Sequence, residues 1–207
     1  MSSTNGQPSM RGKAVKMNDE ILSEIKSMIP YVLVAVLAVG GYYGFKQYRE
    51  NQRRAQSQAF ANAQTTDDLE AAAAQFGERQ VGPALKLKLA KSYYDESRYE
   101  EALSLYDELA AKAPDGFADV PVVGRAQCLE ALTRYDEALS AYRDFAAANP
   151  SNYLALTAKL GAVRVTALKG DRTAATNELA ALQAEFEGDQ LARLQVNQLE
   201  DLIKRMR

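Results

Sequence analysis

Apolar residues recur along most of this chain at the three- and four-residue spacing of a helix face. Two stretches repeat that pattern almost residue for residue: Arg98-Tyr99-Glu100-Glu101-Ala102-Leu103-Ser104-Leu105-Tyr106 and, 36 positions later, Arg134-Tyr135-Asp136-Glu137-Ala138-Leu139-Ser140-Ala141-Tyr142. Upstream of the first, Leu85, Leu89 and Tyr93 share one helix face ahead of a turn near Ser97, and the next helix turns Ala102, Tyr106 and Leu109 inward. Pro114 and Pro150 are also 36 apart, each behind an Ala-rich stretch where a helix must stop, because proline has no amide hydrogen and its ring crowds the preceding turn. One such pair cannot bury its own apolar face, so copies stack and expose an extended, curved surface suited to binding. The spacing predicts an all-α fold, an α-solenoid of helix pairs over 55–207.

The pattern weakens toward both ends of this region. A third unit reads as a helix over 153–168, a turn at Gly170-Asp171, and a second helix carrying Ala174, Ala175, Leu179, Leu182 and Phe186. A final helix over 189–206 places Leu191, Leu194, Leu199, Leu202, Ile203 and Met206 among charges, and is expected to cap the stack with a polar outer face. Before the duplicated core, Phe60 and the segment 67–76 suggest another helix pair, with Thr65-Thr66-Asp67-Asp68 to cap a helix start and Gly77 to end it.

From Met28 to Phe45 the polar face disappears: eighteen residues carry no charge. At about 1.5 Å per residue they are just long enough to cross a bilayer core of roughly 30 Å. Tyr31, Tyr42 and Tyr43 stand near the ends of the run, where interfacial aromatics belong, and Lys26 and Lys46 flank it. The expected organisation is therefore a polar, largely disordered tail with a short juxtamembrane helix (1–27), a transmembrane anchor (28–45), a helical linker (46–54) and the repeat region (55–207). A cleaved secretory signal is the rival reading, since Ala38-Val39-Gly40 offers small residues for a peptidase. Against it stand the apolar continuation through Tyr42-Tyr43-Gly44-Phe45 and the long preceding tail. Gly40 and Gly44 are spaced to let two spans pack closely as a homodimer. Arg11, Lys13, Lys16 and Lys26 before the span balance Lys46, Arg49, Arg53 and Arg54 after it, so basic charge leaves the orientation open.

Leu89-Ala90, Tyr93, Tyr99, Ala102, Tyr106 and Pro114 fall in the order and spacing of the tetratricopeptide repeat, whose period is about 34, and the segment resembles that family. The second copy keeps Leu129, Tyr135, Ala138, Tyr142 and Pro150 but has Arg125 where the family places a large apolar residue. The resemblance implies that the first helix of each unit lines an inner groove. Leu87, Lys91, Tyr94 and Asp95 would contribute from the first unit, Gln127, Glu130 and Ala131 from the second, and Leu160 and Arg164 from the third. Such a mixture of aliphatic, aromatic and sparse charged residues suits an extended or helical peptide segment, with Tyr94 as anchor; the alternative is that several of these side chains only pack against a neighbouring helix. The asparagine and lysine clamp with which some relatives hold a terminal carboxylate is missing. Tail, single anchor, polar helix and a few repeats also resemble the plan of the bacterial YfgM-like proteins, ancillary subunits of the Sec translocon. That resemblance implies an inner-membrane protein with its repeats in the periplasm, a cytoplasmic-facing domain being the alternative.

Composition narrows the chemistry. With no His, no Trp and one Cys, the chain cannot build a Ser-His or Cys-His nucleophile pair or a His-containing zinc site, and no cofactor is implied. Cys128, next to Leu129 in a first helix, is expected in the core. Glu100-Glu101 and Asp136-Glu137 recur at helix starts, where negative charge offsets the helix dipole, and are read as structural. No phosphate-binding loop is present, and from Ser57 onward 17 Lys and Arg face 23 Asp and Glu, a net charge of −6 that does not suit nucleic acid. The basic cluster Arg49, Arg53 and Arg54 suits lipid headgroups. The expected function is a non-enzymatic, single-span adaptor that binds protein partners or peptide segments, with neither a nucleic acid nor a small-molecule substrate. The alternative is a structural subunit of an envelope complex that uses the repeats as a permanent interface.

Overall fold

The computed structural model describes the backbone of residues 10–112 and 118–206, with side chains from Lys26 onward except Ser27. The first nine residues of the tail, the helix stop at Pro114 and the link 115–117 lie outside the described residues. Within them the protein is all-helical, with nine helices and no strand: α1 (Met10–Asn62), α2 (Thr66–Phe76), α3 (Gly82–Asp95), α4 (Tyr99–Lys112), α5 (Asp119–Ala131), α6 (Tyr135–Ala148), α7 (Ala155–Leu168), α8 (Arg172–Glu185) and α9 (Gln190–Arg205). The chain divides into two compact units between Ala55 and Gln56.

In the first unit, α1 runs unbroken through Pro30 and the apolar stretch. From Met28 it is long and apolar enough to cross a membrane; its most apolar window has a mean hydropathy of 1.7 and none of that window is buried. Gly40 and Gly44 have open space around them.

The second unit is built from short helices with local start and stop signals. Thr65 and Asp68 form a capping box at α2: the Thr65 hydroxyl accepts from the Asp68 amide at 3.1 Å, and Asp68 accepts from the Thr65 amide at 3.2 Å. Asp171 and Asp189 cap α8 and α9 in the simpler way, each accepting from amides of the first turn. Between α3 and α4, α5 and α6, and α7 and α8 the chain turns through a left-handed residue: Ser97 (φ 63°), Thr133 (φ 60°) and Gly170 (φ 95°). Each turn closes with the same long-reach bond, from Arg98 N to Tyr93 O (2.8 Å), Arg134 N to Leu129 O (2.8 Å) and Asp171 N to Thr166 O (3.2 Å). The acidic starts of α4 and α6 also recur as ion pairs, Arg98 with Glu101 at 3.1 Å and Arg134 with Glu137 at 2.7 Å.

From α2 onward each helix packs on the next, and α3 also meets α5, α5 meets α7, and α7 meets α9. Glycines set the closest approaches. A Cβ on Gly124 would lie 2.7 Å from the Tyr106 ring, and one on Gly161 would lie 2.6 Å from the Tyr142 ring. A tyrosine from α4 or α6 is thus seated directly on the backbone of the following helix. Arg125, unexpected at an apolar position, turns outward and donates to Asp107 at 2.6 Å. The core stripe of α9 is Ala192, Val196, Leu199 and Ile203; its outward side carries Arg193, Asn197, Asp201, Lys204 and Arg205, but Leu191, Leu194 and Leu202 are also 74%, 55% and 43% exposed, so the polar face is interrupted by leucines.

Two outcomes follow. A β-branched residue in the left-handed region costs about 1 kcal/mol relative to glycine. Thr133→Gly should therefore raise stability by about that amount, and Gly170→Ala should lower it similarly, in thermal denaturation. Cys128 is fully buried, and burial pushes its thiol from 9.0 up to about 12. Above pH 9 the unfolded chain sheds a proton that the folded chain keeps, so stability falls as pH rises, by about 1 kcal/mol between roughly pH 9 and 10. Urea titrations over that range should show this loss in the wild type and a clearly smaller one in Cys128→Ala, where Tyr106 and Tyr142, also raised by burial, still contribute.

Candidate partner-binding cleft

Because α5, α7 and α9 meet along one side of the stack, their side chains enclose a cleft of about 300 Å³. Gln127 of α5 and Leu160 and Arg164 of α7 line one wall; Gln195, Gln198 and Leu202 of α9 line the other. Thr157 and Leu199 complete the surface. Arg164 is the only charged residue of the lining, and its charge is already matched. Its Nε donates to Glu130 Oε1 at 2.5 Å and its Nη2 to Oε2 at 2.7 Å, a two-pronged pair joining α7 to α5. The Tyr142 hydroxyl, reaching from α6, donates to the same carboxylate at 3.0 Å. The Glu130 bond holds the Arg164 guanidinium well above its ordinary pKa, and burial raises the Tyr142 phenol.

The structure thus unites three of the groove residues expected from sequence, Gln127, Leu160 and Arg164, and sets a fourth, Glu130, behind them as the partner of Arg164. Leu160 has a double role, since it is 8% exposed and packs with the α8 and α9 core. The remaining expected residues do not line this cleft. Lys91 and Asp95 pair with each other along exposed α3 at 2.7 Å, Leu87 is half-buried at the edge of the core, and Ala131 is half-buried near the end of α5. Tyr94 stands edge-on to Tyr99, ring centres 5.2 Å apart, and its phenol is raised by burial and by the Glu130 carboxylate.

Sequence reasoning missed the α9 wall. Gln195, Gln198 and Leu202 recur at helical spacing on one face, a second stripe beside the buried one. Reading α9 as a cap with a polar outer face gave no reason to expect a binding wall on it. On the opposite side of α7 lies a second cavity of about 250 Å³, floored by Ala162, Val163 and Leu182 and spanned by Arg143 and Glu178 at 2.6 Å.

No protein-family model matches the chain, and no curated protein or solved structure was found to be significantly similar to it.

The pair can be tested within the cleft. Arg164→Met strands the Glu130 carboxylate, which is only 13% exposed, and should cost about 2 kcal/mol in denaturant unfolding. Adding Glu130→Gln removes the stranded charge, so the double variant should recover about half of that loss or more.

Proposed function

We propose that this chain is a membrane-anchored, non-enzymatic scaffold that binds polypeptide partners in the α5–α7–α9 cleft. The observation that carries this reading is the cleft itself. It is an open surface of amides and leucines formed where alternate helices meet, with its one cation internally neutralised. The 36-residue duplication, the recurring left-handed turns and the contacts of α3 with α5, α5 with α7 and α7 with α9 support a tetratricopeptide-like solenoid, an architecture whose inner face serves binding. The exposed apolar run of α1 supports a single-span anchor. Confinement to one surface raises the effective concentration of partners without adding contacts. On the likeness to the YfgM-like plan, we place the repeats in the periplasm of a bacterial inner-membrane protein, where proteins leaving the translocon would be the clients. A second reading, a permanent subunit of an envelope complex, is favoured by Leu191 and Leu194, which stay exposed outside the cleft.

A photo-crosslinking residue at Gln198 should give adducts of discrete mass in cells, and Leu202→Glu should abolish them. A crosslinker at exposed Glu187 should not form them. Equal adducts from both positions would sink the cleft as the binding site. A protease added to intact spheroplasts should digest a C-terminal tag from outside; protection until lysis would place the domain in the cytoplasm.

A further inference from the structure

The pairing of Arg164 decides which polypeptide the cleft can take. A free arginine in a groove would select acidic segments or a terminal carboxylate. Here two of the guanidinium's five N–H donors, on Nε and Nη2, bond Glu130, whose charge offsets that of Arg164 and which Tyr142 holds with a further hydrogen bond. An incoming carboxylate could reach the guanidinium's remaining N–H donors, but the Glu130 charge beside them offsets most of the attraction it would gain. The domain's surplus of acidic residues repels such a segment at longer range.

What the cleft offers instead is neutral. Gln127, Gln195 and Gln198 each present a donor and an acceptor, the complement of a peptide main chain whatever its side chains. Leu160 and Leu199, 8% and 6% exposed, form a mostly buried floor between them, and Leu202, 43% exposed, supplies the accessible apolar surface. We infer that the cleft accepts a neutral, apolar stretch of extended polypeptide, gripped through its main-chain amides, and discriminates against acidic segments; this rests on the groove reading above.

The test uses the full chain in zwitterionic phospholipid nanodiscs, with empty nanodiscs as control. The probes are peptides of about twelve residues, blocked at both ends and carrying a neutral fluorophore. One alternates Leu and Val with Ser and Asn; in the others two Ser become Asp or Lys. Fluorescence anisotropy should show the neutral peptide binding, and the Asp peptide about tenfold weaker. Affinity for the neutral peptide should change less than about twofold between roughly 50 and 500 mM salt. Gln198→Glu, at an exposed position outside the core, should weaken neutral binding about tenfold.

Tighter binding of the Asp or the Lys peptide, with an affinity that falls as salt rises, would overturn the inference. So would a dimer in sedimentation that Leu202→Glu dissociates, because the occupant would then be a second copy of the chain. If no peptide binds while the Gln198 crosslinks persist, the occupant is not an extended segment and this inference alone fails. If both are absent, the groove reading fails with it.

Discussion

Tyr142 ties three helices together. Its ring sits on Gly161, so α6 and α7 approach to a distance that only a residue without a Cβ permits, and its hydroxyl reaches across to Glu130 on α5. Glu130 in turn holds Arg164 on α7. Packing therefore joins α6 to α7, and hydrogen bonding joins both to α5. Tyr142 and the Arg164–Glu130 pair together fix α5 against α7, the two helices of one cleft wall. Tyr106 on Gly124 repeats the packing half of the arrangement one unit earlier. Proteins pack at crystal-like density, so an added methyl group at either glycine has to move a buried ring.

Charge in this domain is spent on joining elements more than on presenting a site. Lys86 lies between Glu78 at 3.1 Å and Glu108 at 2.9 Å, Arg125 meets Asp107, and Arg143 meets Glu178. Tyr93, Arg98 and Glu70 form a cluster in which Arg98 lies 4.0 Å from the centre of the Tyr93 ring and both residues donate to the Glu70 carboxylate. Most of these pairs are at the surface and individually worth little. Their common feature is that they join separate elements of the domain, leaving the α5–α7–α9 cleft, where amides and leucines prevail, as a different kind of surface.

Much of the second unit was legible because local rules control it. Helix starts at Thr65 and Asp171, the turn at Ser97, and the burial of Ala102, Tyr106, Leu109 and Cys128 follow from capping, turn and periodicity signals within a few residues of one another. The cleft was legible only in part. Gln127, Leu160 and Arg164 could be placed by likeness to a repeat geometry, but nothing local says that Arg164 finds Glu130, 34 residues away in sequence. Arg125 could not be assigned either, since its partner Asp107 belongs to another helix.

The sequence by itself determined the all-helical character, the 36-residue duplication, the apolar run from Met28 to Phe45 and the absence of histidine chemistry. These depend on composition and on periodicities that span one or two helical turns. Only the tertiary structure decided which apolar stripe of α9 is core and which is wall. Leucines occur on both sides of α9, and contact with α7 and α8 buries the stripe of Ala192, Val196, Leu199 and Ile203 while Leu202 is left at the cleft. It likewise decided that the single cation of the cleft is neutralised, because opposite charges on separate helices meet only after the helices stack.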